Sequence, residues 1–169
     1  RGAVISHCLR YRYMLWRSWD GDLPATEVLF VMLNPSTADG HVDDPTIRKC
    51  VGFAQRWGHS VVRVVNLFAY RATDPKELVR EEQRLTDIVG PDNDWTIGER
   101  AARADRIIVA WGNSLPRTRL ARAVDVSHQL KRIGKPLGCL GRTKDGHPRH
   151  PLMLAYETPI EPWEGYPGV

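Results

Sequence analysis

The run Val28-Leu29-Phe30-Val31-Met32-Leu33 is apolar without a break and ends abruptly at Asn34-Pro35-Ser36. A stretch this short, with no polar residue to turn toward water, reads as a strand covered on both faces. Related runs follow at Val61 to Leu67, Arg106 to Trp111 and around Leu137 to Leu140. Helical stretches separate them. One starts at about Pro45, where Asp44 can cap and Pro45 suits the first helical position; Ile47, Cys50, Val51, Ala54 and Trp57 share a face, and Gly58 ends it. Others start near Asp74 and Asn93, with Gly90-Pro91-Asp92 as the break between them, and one spans roughly Arg117 to Ile133. Before all of these, Val4 to Trp16 alternates in part and reads as a strand pair. Strands alternating with helices predict an α/β fold: a three-layer α/β/α sandwich with a mainly parallel central sheet and helices on both faces. Ligands of such sheets bind beyond the carboxyl ends of the strands. The segments opening at Asn34, Asn66, Gly112 and Gly141 are therefore where chemistry is expected.

A chain of 169 residues, 42% hydrophobic, suits one domain. Its expected parts are a strand pair over 3–17, a core over 28–153 and a C-terminal tail over 154–169. No apolar run approaches the ~18 residues of a membrane helix, and no secretory leader pattern opens the chain, so a cytoplasmic protein away from membranes is expected. Cys8, Cys50 and Cys139 are few and widely spaced, which argues against a disulfide framework, a zinc knuckle or an iron–sulfur cluster and reads as three buried thiols. No metal and no cofactor is expected, and no obligate protein partner is inferred. A net charge of +4 and a pI near 9.2 permit a polyanionic partner without requiring one. Trp16, Trp57 and Trp111 fall where a core wants them, so packing is their expected role ahead of stacking on bases.

Three of the strand-end loops place a neutral polar residue at or near proline or glycine: Asn34 before Pro35, Asn66 at the end of its run, and His147-Pro148-Arg149-His150-Pro151. Amides and imidazoles donate and accept hydrogen bonds without a fixed charge, as reading a nucleobase edge requires. An adjacent proline fixes the backbone and aims the side chain. Singly, each asparagine is an ordinary turn residue. Their convergence at one sheet edge favours a site. Asp39 is the foremost carboxylate candidate for a general base and Asp43 the next, with Asp44 taken up by its cap. Arg48, Lys49, Arg71, Arg142, Lys144 and Arg149 lie in or beside the loops and can hold phosphates, or serve only as solvated surface charge.

Met32-Leu33-Asn34-Pro35-Ser36 resembles the first active-site motif of the uracil-DNA glycosylase superfamily, particularly its mismatch-specific branch. Val64-Val65-Asn66-Leu67 resembles its base-reading strand end, Ile108 to Gly112 a later strand, and His147 to Leu152 its histidine motif. The chain is also similar to an uncharacterised bacterial and phage domain family marked by Asn34 to Asp39, Asp43 to Arg48, Asn66 to Thr73, Gly90 to Asn93 and Pro148 to Leu152. The resemblance implies a glycosylase-like fold and a DNA glycosylase that flips a base out of the helix. In it, Asn34 positions water, Asn66 holds the pyrimidine edge and Phe68 or Tyr70 stacks on the base. His147 or His150 takes the histidine role, with the second family's spacing favouring His150. Pro35 and Ser36 line the base pocket. Ser36 stands where uracil-specific relatives carry a bulky aromatic against C5, which implies a C5-modified pyrimidine, such as hydroxymethylcytosine or its glucosylated form in phage DNA, and a role in antiviral defence. A hydrolase or transferase of free nucleotides and a noncatalytic reader of modified bases are the rival expectations.

Overall fold

The computed structural model describes residues 1–19, 25–36, 38–74, 76–115 and 117–166. Thr37 of the first motif, Pro75 at the end of the loop after the second apolar run, and 167–169 of the expected tail lie outside them. Strands β1 (Gly2–Ile5), β2 (Arg12–Ser18) and β3 (Glu27–Met32) lead into helix α1 (Pro45–Arg56) and β4 (Val61–Asn66). Then come α2 (Lys76–Gln83), α3 (Asn93–Arg103), β5 (Arg106–Val109), α4 (Leu120–Arg132), β6 (Leu137–Cys139) and β7 (Glu161–Pro162). Single 3-10 turns occupy Arg117–Arg119 and Pro151–Met153. Among the described residues no helix is long and apolar enough to cross a membrane.

The fold is α/β, built on one mixed seven-stranded sheet in the order β1-β2-β4-β3-β5-β6-β7. The β3–β4, β3–β5 and β5–β6 pairs are parallel. The β1–β2, β2–β4 and β6–β7 pairs are antiparallel. The four apolar runs thus form the parallel centre that their composition predicts, while the chain's two ends add antiparallel flanks that alternation alone does not place.

Burial on both faces explains the unbroken apolar run. Leu29, Val31 and Leu33 join one core cluster with Ile97, Val126 and Leu130 from α3 and α4. Val28, Phe30 and Met32 join the other with Ile47, Cys50 and Phe53 from α1. Asp44 caps α1 as expected, its Oδ1 accepting the Ile47 N–H at 2.8 Å. Gly52 sits mid-helix because a Cβ there would stand 2.6 Å from the Tyr156 side chain, which packs against the helix at that point. Of the cysteines, Cys50 and Cys139 are buried as expected, but Cys8 is exposed, in the turn that precedes β2.

The chain leaves β3 toward β4 and leaves β5 toward β6, so the adjacent strands β3 and β5 part company at their carboxyl ends. A crevice opens at such a switch point. Asn93, fully buried at the start of α3, stiffens its floor: Nδ2 donates to the carbonyls of Asn66 (3.0 Å) and Leu67 (3.1 Å). Asn93→Ala removes both buried bonds, and of the two carbonyls Leu67 keeps Arg122 Nε at 2.9 Å. The expected loss is about 2 kcal/mol, read as a fall of roughly 4–8 °C in Tm.

Candidate functional site

A cavity of about 450 Å³ fills the switch point. That is the size of a small-ligand pocket. Its lining brings together Asn34 and Ser36 after β3, Asn66 at the end of β4, Trp111 after β5, and His150.

The loop after β3 is stapled to the loop after β4. Asn34 Nδ2 donates to the carbonyls of Ala72 (2.7 Å) and Pro35 (3.0 Å), and the Pro35 carbonyl also accepts the Ala72 N–H at 3.0 Å. With both amide hydrogens engaged, Asn34 keeps its Oδ1 as the acceptor it can offer a ligand. Asn66 is 1% exposed, lines the cavity, and its Oδ1 has no partner among the described residues. Polar groups buried in that state are rare away from functional sites.

The two motif histidines separate cleanly. His150 lines the cavity and its Nδ1 accepts the Leu152 N–H at 3.3 Å, which leaves the proton of the neutral ring on Nε2 as a donor. Burial holds its pKa below the ordinary value, opposed by the negative charge of Asp44. Gly112 makes room for it: with φ at +74°, the backbone passes so close that a Cβ would lie 2.9 Å from His150 Cβ. His147 turns away from the cavity into an aromatic cluster. Trp111 Nε1 donates to Tyr166 Oη at 2.8 Å, and that hydroxyl stands 2.9 Å from His147 Nδ1. Indole only donates, so the Tyr166 proton goes to His147. Burial pushes the Tyr166 phenol up to about 12 and the His147 imidazole down, and both stay neutral in this chain of bonds.

A model of the family described as "Protein of unknown function (DUF1643)" matches residues 12–152. The chain belongs to that DUF1643 family. No curated protein and no solved structure matches it. The DUF1643 region takes in all five motifs of the sequence and every lining residue of the cavity except Met153.

Within that region the other expected site residues lie elsewhere. Asp39 does not line the cavity; its Oδ1 accepts the His41 and Val42 N–H groups at 2.7 and 2.9 Å, and these bonds hold its carboxyl below the usual range. Asp43 is paired with Arg17 at 2.6 Å. Asp44, expected as a cap ahead of a base, is the carboxylate that lines the cavity. Phe68 is buried in the core cluster under Arg119, and Tyr70 packs edge-on against Tyr11 at 6.2 Å, so neither faces a base in the cavity. Pro35 is buried behind Asn34 and acts through its carbonyl. None of the six expected phosphate ligands lines the cavity. Lys49 Nζ sits 3.8 Å over the Tyr156 ring and Arg71 donates to the Leu9 carbonyl. Arg48 donates to the Asp43 carbonyl, and Arg142 stacks on Trp163 at 4.2 Å; these two and Lys144 and Arg149 are exposed. Among the described residues no His, Cys, Asp and Glu side chains gather into a metal-binding group.

The sequence reading missed Arg12, which lines the cavity at 3% exposure. Its signal is a pair of arginines, Arg12 and Arg17, inside a run otherwise suited to a buried strand.

Two outcomes follow from this geometry. Gly112→Ala forces a strained φ and drives Cβ into His150, so a loss of about 1–3 kcal/mol is expected together with a shift of the His150 imidazole NMR signals. Burial also depresses His59, His147 and His150 in the folded chain, whereas unfolding returns them to the ordinary value of 6.5. The unfolded chain then binds more protons, so stability is whole above pH 6.5 and falls as pH drops below it. Urea midpoints should be lower at pH 5.5 than at 7.5, and a flat profile over that window would remove the neutral-imidazole assignment.

Proposed function

We propose that this DUF1643 protein is a DNA glycosylase that removes a C5-modified pyrimidine from DNA, on a three-layer α/β/α sandwich like that of the uracil-DNA glycosylase superfamily. The observation that carries the reading is the meeting of Asn34, Asn66 and His150, from three separated motifs, in one cavity at the sheet's switch point. The four-stranded parallel centre with helices packed on both faces supports the fold assignment.

Breaking an N-glycosidic bond puts positive charge on the sugar and negative charge on the departing base. Asn34 Oδ1, fixed by the bonds on its Nδ2, accepts a hydrogen bond from the attacking water and orients it. Asp44 takes the proton that the water loses. Neutral His150 donates from Nε2 to the base as it becomes anionic, and Asn66 holds the base edge. A base reaches these groups only when flipped out of the helix. Leu152 and Met153, 38% and 88% exposed at the rim, give the loop an apolar tip to fill the vacated stack. Exposed Arg48, Arg142, Lys144 and Arg149 supply phosphate contacts, which make DNA binding salt-sensitive. Ser36 in the lining leaves C5 unwalled. An enzyme with that tolerance acts in the cytoplasm on hydroxymethylated or glucosylated phage cytosine and spares the host chromosome.

The test is release of abasic sites from matched oligonucleotides carrying uracil, hydroxymethylcytosine or glucosylated hydroxymethylcytosine. Excision of a C5-modified base is expected. Asn34→Ala and His150→Ala should each lower it by about a hundredfold or more, the scale of a positioned catalytic group, and His147→Ala should cost less. Ser36→Tyr should slow the glucosylated substrate selectively. Preferred release of uracil removes the C5 assignment. Turnover of mononucleotides alone identifies a nucleotide hydrolase, and DNA binding without cleavage a modified-base reader.

A further inference from the structure

Two arginines of β2 are buried, and the protein treats them differently. Arg17 is saturated: Asp43 takes Nε at 2.7 Å and Nη2 at 2.6 Å, Trp16 carbonyl takes Nη1 at 2.8 Å, and Asp39 carbonyl takes Nη2 at 2.8 Å. Arg12 has one side-chain bond among the described residues, Nη1 to the Ala38 carbonyl at 2.5 Å, and its buried Nε has no partner. It enters no ion pair among them. Its backbone N–H is anchored on the Ala69 carbonyl at 2.9 Å, so the side chain projects from a fixed strand. Burial lowers its pKa to about 10, with Asp44 the leading opposing charge, and it remains a cation at neutral pH. A buried cation short of partners costs several kcal/mol unless an anion compensates it. Arg12 and Asp44 are the charged residues of the cavity lining, and the rest is amide, hydroxyl, imidazole and apolar surface.

We propose that Arg12 holds the negative charge that leaves with the base. This rests on the glycosylase reading above. As the C1′–N1 bond breaks, its electron pair passes to the base and spreads over N1 and the neighbouring O2. The water oxygen forms the new bond to C1′, the water proton goes to Asp44, and from there it returns to the released base through solvent. The guanidinium meets little charge on the bound substrate and a full charge on the departing anion. Its interaction therefore grows along the reaction, as catalysis requires. Neutral His150 alone would leave that anion facing a dipole; with Arg12 it faces a cation in a water-poor cavity, where the attraction is strongest.

The experiment is calorimetric titration of the intact chain with free pyrimidines. 5-Nitrouracil, whose nitro group makes it an anion at neutral pH, mimics the leaving base; 5-hydroxymethyluracil is neutral and comparably bulky at C5. Native protein is expected to bind the anion about tenfold more tightly, the scale of one charge-assisted hydrogen bond. Arg12→Met should bring the two within about twofold, and Arg12→Lys should keep an intermediate preference. Circular dichroism checks that each variant folds; if Arg12→Met does not, the native ratio and Arg12→Lys decide. Equal affinity in the native protein, no binding of either pyrimidine, or a preference that survives Arg12→Met overturns the proposal. So does Arg12-dependent binding of inorganic phosphate in place of the pyrimidine anion, which assigns Arg12 to a phosphate. The abasic-site assay separates the two readings. Excision without an anion preference removes Arg12 and leaves the glycosylase; an anion preference without excision removes the glycosylase, and the leaving-group role with it.

Discussion

Strand β3 is hydrogen-bonded along both edges and covered on both faces, by α1 on one side and by α3 and α4 on the other. Such a strand has no freedom of register, because a shift by one residue would move Leu29 and Val31 into the layer filled by Val28 and Phe30. Its end is therefore fixed in space. The ladder continues past it, with Leu67 N–H on the Met32 carbonyl at 2.8 Å and Phe68 N–H on the Leu33 carbonyl at 3.0 Å. Asn34 and Asn66 converge because the strands that carry them are paired to their last residue, with Met32 opposite Asn66.

A cavity at a switch point is general to this architecture; what distinguishes this one is how its polar groups are restrained. The Asn34 staple to Pro35 and Ala72, the Asn93 clamp on the β4 carbonyls and the Gly112 approach to His150 each lock a cavity residue from behind. In the glycosylase proposed for this chain, restraint of that kind removes reorganisation from the reacting step. It also explains why polar groups that would be a liability in a core are held there without full pairing: Asn66 Oδ1 and Arg12 Nε have no partner among the described residues.

Much of this was legible in the sequence. Apolar runs located the four parallel strands, the Asp44-Pro45 pair located the start of α1, and the polar residue at each strand end located Asn34, Asn66 and His150. These features are local, so propensity and period report them. The antiparallel flanks are not local: β1 and β2 reach the sheet through β4, and two-residue β7 exists only because Gly138 and Cys139 offer it an edge. The same limit misplaced the aromatic contact. Phe68 and Tyr70 follow Asn66 closely in sequence, but the β4 ladder carries them into the core and toward Tyr11, while Trp111, for which packing was expected ahead of stacking, lines the cavity at 1% exposure. Proximity in sequence likewise favoured Asp39, whose carboxylate is spent on its own turn at His41 and Val42. The arginine pair at 12 and 17 marked the strand as unusual but not which of the two faces a cavity, because that depends on what surrounds each one.

The histidine motif shows how two similar residues acquire opposite surroundings. Thr143 N–H bonds the His147 carbonyl at 2.8 Å and Arg149 N–H bonds the Gly141 carbonyl at 2.9 Å, so the segment doubles back as a tight loop. The loop sends His147 to one side, where Tyr166 and Trp163 from the C-terminal segment form a wall with Trp111. It sends His150 to the other, over Gly112 and into the cavity. His147 is thereby a structural acceptor that ties Tyr166, and through it the indole of Trp111, to the loop. The residue that faces the cavity and the residue that holds the Trp111 wall are three positions apart, which is why spacing alone left open which of them faces the cavity.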